Sequence, residues 1–207
     1  MNTPTPPPFT PIAGRLRLAT QIDGQPVALD AWRATTEDLA TAERIQAVLG
    51  GTAPAEWPST SRDRYEVMTA ATELDILLDG DAAIQQRFIR REEPGWMSNG
   101  ASIILPDGER IPDPNKHLTF AERRGLARAD GTQCVTTVYL RLAAAPELAL
   151  IFRSASWDLA WRWREAGLLT ALAGASRDVP VPGTLTLAQK RIGAGASIAS
   201  ARLHIHA

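Results

Sequence analysis

Pairs of turn-forming residues that end in glycine recur along this 207-residue chain and divide it into short segments. The pairs are Asp23-Gly24, Asp79-Gly80, Asn99-Gly100, Asp107-Gly108 and Asp130-Gly131. Asn-Gly and Asp-Gly favour the tight turns of β-hairpins, because both residues tolerate a positive φ. Many segments between them alternate apolar and polar residues, which is typical of strands with one buried face. We therefore predict an α+β fold with mostly antiparallel strands and two main helices.

The strand predictions follow this alternation through the chain. Arg15 to Leu18 and Val27 to Arg33 are predicted to form a first hairpin, and Arg64 to Leu78 is predicted to turn at Asp79-Gly80 into Ala83 to Arg91. A small hairpin is predicted across Ile103 to Ile111. The remaining predicted strands are Cys134 to Leu142, Leu148 to Phe152, Gly183 to Ile192 and Ser197 to His206, of which the last two form a closing pair.

Helical spacing of apolar residues, preceded by capping residues, marks the helices. The first main helix is predicted from about Glu37 to Leu49, with Gly50-Gly51 as its stop. A short basic helix is predicted from Thr119 to Ala129. The second main helix is predicted to begin after a Ser154 or Ser156 cap and to continue through Trp157 to Gly174.

Proline content and an internal self-match suggest the organisation of the chain. Five prolines between Met1 and Pro11 predict a flexible or polyproline-like arm over residues 1–13, followed by a single domain over residues 14–207. Trp32–Ala40 aligns with Phe152–Ala160, with four of nine positions identical. If this match reflects duplication, related strand-helix-strand halves would span residues 14–93 and 134–207, joined by a turn-rich segment, 94–133. The alternative is that strand-cap-helix junctions share a common pattern.

Charge and targeting features narrow the classes of protein. The 22 Lys and Arg residues nearly balance the 23 Asp and Glu residues, giving a net charge of -1. Proteins that hold DNA through its phosphates normally carry a basic excess, so sequence-specific DNA binding is not expected. The chain has neither an apolar window long enough to span a membrane nor the pattern of a secretory signal. We expect a cytoplasmic protein without membrane contact.

Three groups of residues are candidates for chemistry. Cys134 is the single cysteine, so it provides no intramolecular disulfide and no cysteine-rich zinc site. His204 and His206 would share one face of a strand and suggest metal ligands, against the alternative of a frayed, solvated terminus. Glu73, Asp75 and Asp79 suggest a divalent-metal face, against the alternative of the solvated side of an amphipathic strand. We predict no catalytic residues, no metal and no cofactor.

Candidate partner-binding residues come from an irregular loop, a basic helix and a tryptophan cluster. Trp96 and Met97 lie in the long turn-rich connection, and such loops are often functional. Arg123, Arg124 and Arg128 are close on the predicted basic helix, where two of them would share a face that meets an acidic partner, against the alternative of a solvated face. Trp157 and Trp161 are predicted to anchor the core, whereas Trp163 would point elsewhere, beside Arg162 and Arg164. It is a candidate partner-facing aromatic residue, against the alternative of partial burial.

Several ordered motifs resemble a known family. The first half contains Gly14-Arg15-Leu16-Arg17-Leu18, Gly24-Gln25-Pro26-Val27, Trp32-Arg33 before a helix ending in Gly50-Gly51, Trp57, and Tyr65-Glu66-Val67-Met68-Thr69. The second half contains Val138-Tyr139-Leu140-Arg141-Leu142, Pro146-Glu147-Leu148-Ala149-Leu150, Ser156-Trp157 and Val181-Pro182-Gly183-Thr184-Leu185-Thr186-Leu187. These motifs resemble the actinophage recombination directionality factors that act with large serine integrases. The chain lacks the cysteines that relatives often carry in the region corresponding to about Trp96 to Arg110.

The resemblance implies a non-enzymatic regulator in a bacterial host. Such a factor binds the integrase, shifts site-specific recombination toward prophage excision and inhibits integration. An alternative from the residues themselves is a phage accessory protein of DNA metabolism that binds single strands through Trp96, Trp163 and the arginines. A further alternative is an enzyme that uses the Glu73, Asp75 and Asp79 face with a divalent ion.

Overall fold

The computed structural model describes residues 11–22, 25–58, 62–92, 95–175, 179–192 and 196–206. These residues form four helices and thirteen strands in a mostly antiparallel α+β fold, as predicted. The helices are α1 (Leu39–Leu49), α2 (Phe120–Asp130), α3 (Trp157–Glu165) and α4 (Leu168–Ala173). The strands are β1 (Gly14–Ile22), β2 (Gln25–Thr36), β3 (Ala55–Glu56), β4 (Tyr65–Met68), β5 (Glu73–Leu78), β6 (Ile84–Arg90), β7 (Trp96–Ser98), β8 (Ser102–Ile104), β9 (Arg110–Pro112), β10 (Gln133–Leu142), β11 (Ala145–Ser154), β12 (Val181–Ile192) and β13 (Ala196–Ile205).

The chain divides into two compact units, each built from separate chain segments. Unit 1 comprises residues 1–80, 139–152 and 176–207, and unit 2 comprises residues 81–138 and 153–175. These units do not coincide with residues 14–93 and 134–207, and the duplication itself stays a prediction. Residues 1–10 of the predicted arm over residues 1–13, and the Asp23-Gly24 turn, lie outside the described residues.

Unit 1 consists of a many-stranded sheet that packs around an apolar core. Its strand order runs β3-β4-β2-β1-β11-β10, and β5 pairs with both β10 and β12, which in turn pairs with β13. Of the strand pairs whose register is defined, β1 with β11 is parallel and the others are antiparallel. Trp32, Leu150 and Phe152 are fully buried, and α1 adds Ala42 and Ile45 to this core.

The capping residues that the sequence suggested define α1. Asp38 accepts a hydrogen bond from the backbone N of Thr41 at 2.7 Å, which satisfies one free donor of the first turn. Gly50 ends the helix with φ at 67°, a conformation that glycine adopts at no steric cost. The observed helix begins two residues later than predicted and ends at Leu49, as predicted.

Unit 2 places an antiparallel sheet against three helices. The N-terminal part of β10 pairs with β6, and the order continues through β7, β8 and β9, so the predicted hairpin across Ile103 to Ile111 is confirmed. Thr119 and Glu122 form a reciprocal capping box at the start of α2, which confirms the basic helix. The second predicted main helix is interrupted, because Gly167 has φ at 69° between α3 and α4.

Two strand predictions were wrong. The segment Arg64 to Leu78 is not one strand, because Thr69 and Ala71 turn the chain between β4 and β5. The Oγ1 of Thr69 donates to the carbonyl of Trp32 at 2.7 Å, and the backbone N of Trp32 donates to the carbonyl of Ala71. Asp79-Gly80 does not join a hairpin either, since β5 pairs with β10 and β12 while β6 pairs with β10 and β7.

Within the described residues, no helix is both long enough and apolar enough to cross a membrane.

Candidate protein-binding site

Four aromatic rings at the centre of unit 2 hold its helices on the sheet. Phe88 on β6 lies 5.6 Å from Trp157 on α3 and 6.2 Å from Phe120 on α2, measured between ring centroids. Phe120 in turn lies 5.1 Å from Trp157 and 5.8 Å from Trp161. These separations and tilted planes are the favourable geometry for aromatic pairs. The cluster therefore fixes where α2 and α3 present their outer residues.

Arg123 faces inward from α2 and holds the long connection in place. Its guanidinium donates to Asp113 at 2.9 Å, to the carbonyl of Gly100 at 3.0 Å and to the carbonyl of Asn115 at 2.5 Å. Ser98 also donates to Asp113, and both carboxylate and guanidinium are buried. Burial raises the pKa of Asp113, but the hydrogen bonds from Ser98 and Arg123 outweigh it and lower the pKa overall.

The C-terminal half of α2 and the start of α3 enclose a recess of about 320 Å³, here called the α2–α3 recess. Its lining consists of Arg124, Ala127, Arg128, Gly131, Thr132, Ser156, Trp157 and Asp158. Arg124 forms an ion pair with the exposed Asp158. Arg128 is exposed and forms no ion pair within the part of the chain that the structure describes.

The position of Trp157 in this recess is fixed at both ends of the side chain. Its Nε1 donates to the carbonyl of Thr132 at 3.1 Å, while its ring packs against Phe88 and Phe120. Ser156 caps α3 by accepting from the backbone N of Leu159 at 3.2 Å. Tryptophan and arginine are both among the residue types enriched at the energetic centres of protein interfaces.

The residues predicted as partner contacts are dispersed. Arg124 and Arg128 line the α2–α3 recess, Trp96 is half-buried against Phe88, Cys134 and Ala160, and Met97 is half-buried near Arg87. Arg123 is buried in the network already described. Arg124 and Arg128 therefore share an outer face of α2, as the sequence predicted for two of the three arginines. Arg123 lies on the inner side of the helix.

Trp163 takes the opposite orientation to the one predicted. It is 3% exposed and shares the buried face of α3 with Leu159 and Ala160, whereas Trp157 and Trp161 are half-buried. The reason is that this buried face is set by the spacing of Leu159 and Trp163, four residues apart. A base or a partner side chain has no access to the Trp163 ring, which removes one of the two tryptophans invoked for single-strand binding.

A second surface feature lies at the ends of β3 and β4 in unit 1. This groove, here called the Trp57 groove, has a volume of about 460 Å³ and is lined by Glu56, Trp57, Pro58, Arg64 and Tyr65. The guanidinium carbons of Arg17 and Arg33 lie 4.6 and 5.1 Å from the centroid of the Trp57 ring. Such cation–π contacts stabilise the position of the indole.

Asp63 links the arginines beneath the Trp57 groove. It is 3% exposed and accepts from Thr35 at 2.6 Å, from Arg17 at 3.3 Å and from Arg15. Burial raises the pKa of Asp63, but the Thr35 and Arg15 hydrogen bonds, with the charges of Arg15 and Arg17, lower it overall. This network was not predicted from the sequence, because its residues come from three distant segments. The alternation of Arg15 and Arg17 with leucines was the one available signal.

The residues of the two metal hypotheses lie on or next to the strands β5 and β13. Glu73 and Asp75 are exposed beside Thr186 and Thr184, while Leu74, Ile76 and Leu78 are buried, which confirms the amphipathic strand. His204 lies on β13, which pairs with β12 through Ile205, and His206 follows the strand and contacts Thr184 at 2.8 Å. Both histidines are exposed, which agrees with the solvated alternative, although the stretch as far as Ile205 is paired. Among the described residues, no group of three His, Cys, Asp or Glu side chains could hold a metal ion.

No family model matches the chain, and no solved structure matches it.

Proposed function

We propose that this protein is a phage recombination directionality factor, which binds a large serine integrase, shifts site-specific recombination toward excision and inhibits integration. The support from the sequence is the ordered set of motifs that resembles this family. Several residues of these motifs, including Leu16, Trp32, Val67, Leu140 and Leu185, are buried. The resemblance therefore concerns residues that determine the fold, and the contact surface has to be inferred from exposed residues.

The α2–α3 recess is the observation that supports a protein partner most directly. It contains a fixed tryptophan, Trp157, beside two arginines. Arg128 has no ion pair among the described residues, and Arg124 is paired with the exposed Asp158. Tryptophan and arginine contribute most to binding energy at protein interfaces. The excess positive charge in the recess favours an acidic side chain of the integrase as the group bound there.

The proposed action is a shift between two conformations of the DNA-bound integrase. A bound factor changes the direction of recombination only if its affinity differs between the synaptic arrangements for integration and excision. Moving a two-state equilibrium from 1:99 to 99:1 requires a difference of about 10⁴-fold in affinity. An interface that buries about 800 Å² on this protein is of ordinary size for a specific complex.

Charge reversal in the recess tests this surface. We expect the Arg124→Glu/Arg128→Glu variant to bind the serine integrase of the same genome at least about 10-fold more weakly in calorimetry, since both changes repel an acidic partner group. The matched control is Arg110→Glu, an exposed arginine on β9 away from the recess lining. Equal affinity of the doubly reversed variant and the unmodified protein would show that the recess is not the contact.

A further inference from the structure

The turn between β7 and β8 contains Asn99-Gly100, a dipeptide in which asparagine deamidates readily because glycine has no side chain to hinder the reaction. We propose that Asn99 is a deamidation site that the folded protein keeps closed, and that local opening of this turn releases it. All the residues involved belong to unit 2, and the reaction needs no integrase.

Deamidation of Asn99 requires only the backbone of Gly100 and water. The backbone N of Gly100 attacks Cγ of Asn99, so that a new N–C bond forms while the bond from Cγ to Nδ2 breaks. The proton of the Gly100 N–H leaves with Nδ2 as ammonia, and a succinimide ring remains. Water then opens the ring at either carbonyl, which gives aspartate or isoaspartate. Both products carry a negative charge that asparagine lacks.

Gly100 is held at both of its backbone polar groups. Its N–H donates to Oγ of Ser98 at 2.9 Å, and its carbonyl accepts from the guanidinium of Arg123 at 3.0 Å. Ser98 and Arg123 both donate in turn to the carboxylate of Asp113. These three side chains are buried, so water competes little for their hydrogen bonds. The nitrogen that would attack Asn99 is therefore engaged by Ser98.

The side chain of Asn99 is fixed as well. Its Oδ1 accepts from the backbone N of Ala101 at 3.0 Å and from the backbone N of Ser102 at 2.9 Å. Its backbone N donates to the carbonyl of Ser102 at 3.2 Å, in the manner of a turn stabilised by an asparagine side chain. The ring can close only when Cγ of Asn99 and N of Gly100 come within bonding distance, and the hydrogen bonds at both residues oppose that movement.

The rate of deamidation in the folded protein therefore depends on how often the turn opens. For a reaction of a transiently opened state, the rate follows the fraction of molecules that are open. Buried hydrogen bonds at both polar groups of Gly100 keep this fraction small. Together they should slow the reaction at least about 10-fold relative to the unfolded chain.

Isoaspartate would prevent the turn from closing again in its original form. It places one additional methylene in the main chain between Ser98 and Gly100, which displaces the Gly100 carbonyl from Arg123. Because Arg123 belongs to α2, this product should loosen the attachment of α2 to the turn. Opening of the turn would thus be recorded as a permanent change.

The test follows Asn99 in the full-length protein by peptide mapping and mass spectrometry during incubation at neutral pH. We expect Asn99 to deamidate at least about 10-fold more slowly in the folded protein than in the same protein unfolded in urea. Ser98→Ala removes the acceptor of the Gly100 N–H, and it should raise the rate in the folded protein at least about 5-fold. The matched control is Ser200→Ala on β13, outside unit 2, which should leave the rate unchanged.

Hydrogen exchange provides a second measurement that needs no substitution. The Gly100 amide of the folded, ¹⁵N-labelled protein should exchange at least about 10-fold more slowly than in the unfolded chain, because the same opening controls both reactions. Circular dichroism establishes whether Ser98→Ala is folded, and the Gly100 exchange rate decides the matter if it is not.

Three results overturn the proposal. The first is equal deamidation of Asn99 in the folded and unfolded protein. The second is a folded Ser98→Ala variant that deamidates as slowly as the unsubstituted protein. The third is a Gly100 amide that exchanges as fast in the folded protein as in the unfolded chain.

Discussion

Trp32 and Phe152 pack edge to face in the core of unit 1, with ring centroids 5.6 Å apart and planes at 81°. Both rings are fully buried, and the two residues occupy equivalent positions in the self-match of the sequence. Each belongs to a strand that pairs with β1, antiparallel for β2 and parallel for β11. The first residues of the two aligned segments are therefore linked within unit 1 by the strand β1 and by this aromatic contact.

Removing this contact should destabilise the protein severely. We expect Phe152→Ala to lower the free energy of unfolding by about 3–5 kcal/mol, because it leaves a cavity beside Trp32. A double-mutant cycle with Trp32→Leu should return a coupling of about 0.5–1.5 kcal/mol. Urea titrations measure both values, with Val179→Ala, at a 63% exposed site, as a control expected within about 0.5 kcal/mol of the unmodified protein. If Phe152→Ala lowered the free energy of unfolding by no more than the control does, the two rings would not be packed in this way.

Backbone geometry predicts opposite outcomes for two glycines. Gly51 has φ at 101°, and a Cβ there would lie 2.0 Å from the carbonyl of Met68, so Gly51→Ala should cost more than about 2 kcal/mol. Gly125 lies within α2 with no atom near its Cβ position, so Gly125→Ala should add about 0.5–1 kcal/mol of stability. Thermal unfolding of the pair checks the prediction, and a similar melting temperature for both variants would contradict it.

Acid should weaken the fold through Asp63 and Asp113. The pKa of each is lowered in the folded protein, so these carboxylates bind protons less readily when folded than when unfolded. Their contribution is therefore present above the unfolded pKa of about 4 and is lost as the pH falls through the lower folded pKa.

Asp63→Asn separates this contribution from general acid effects. We expect a loss of about 1–3 kcal/mol at neutral pH, because the variant weakens the hydrogen bond from Thr35 and the pairing with Arg15 and Arg17. Its stability should also fall less steeply than that of the unmodified protein below about pH 4. Denaturant titrations across this range measure the slope, and an identical pH dependence of the two proteins would exclude the role of Asp63.

Cys134 should be inert in the folded protein. Its side chain is fully buried, and burial raises the pKa of the thiol to about 12, so almost no thiolate forms near about pH 8. A thiol reagent such as DTNB should react with the native protein only as fast as it unfolds, and at once in denaturant. Rapid reaction under native conditions would show that the thiol is accessible.

Local patterns in the sequence were sufficient for most hairpins and for two of the capped helices, but not for the hairpin predicted at Asp79-Gly80. The β1–β2 pair, α1, α2 and the closing pair of β12 with β13 all follow from short-range alternation or capping residues. The break between β4 and β5 was not predicted, because it depends on hydrogen bonds between Thr69 or Ala71 and the distant Trp32.

In the candidate site, too, short-range features were predicted and long-range contacts were not. Helical spacing placed Arg124 and Arg128 together, but it did not reveal that Arg123 turns inward to Asp113, a partner outside the helix. The contacts of Trp57 with Arg17 and Arg33 join two strands and a loop, and no local pattern specifies which loop residue meets them. These contacts join residues that are distant in the sequence, and local sequence patterns do not specify them.

The direction of recombination is the most direct measure of the proposed function. Purified protein is added to the serine integrase of the same genome with either pair of attachment sites. We expect product from the attL and attR sites of the prophage to appear only with the protein, and product from attP and attB to decrease. Recombination that is unchanged in both directions would contradict the account.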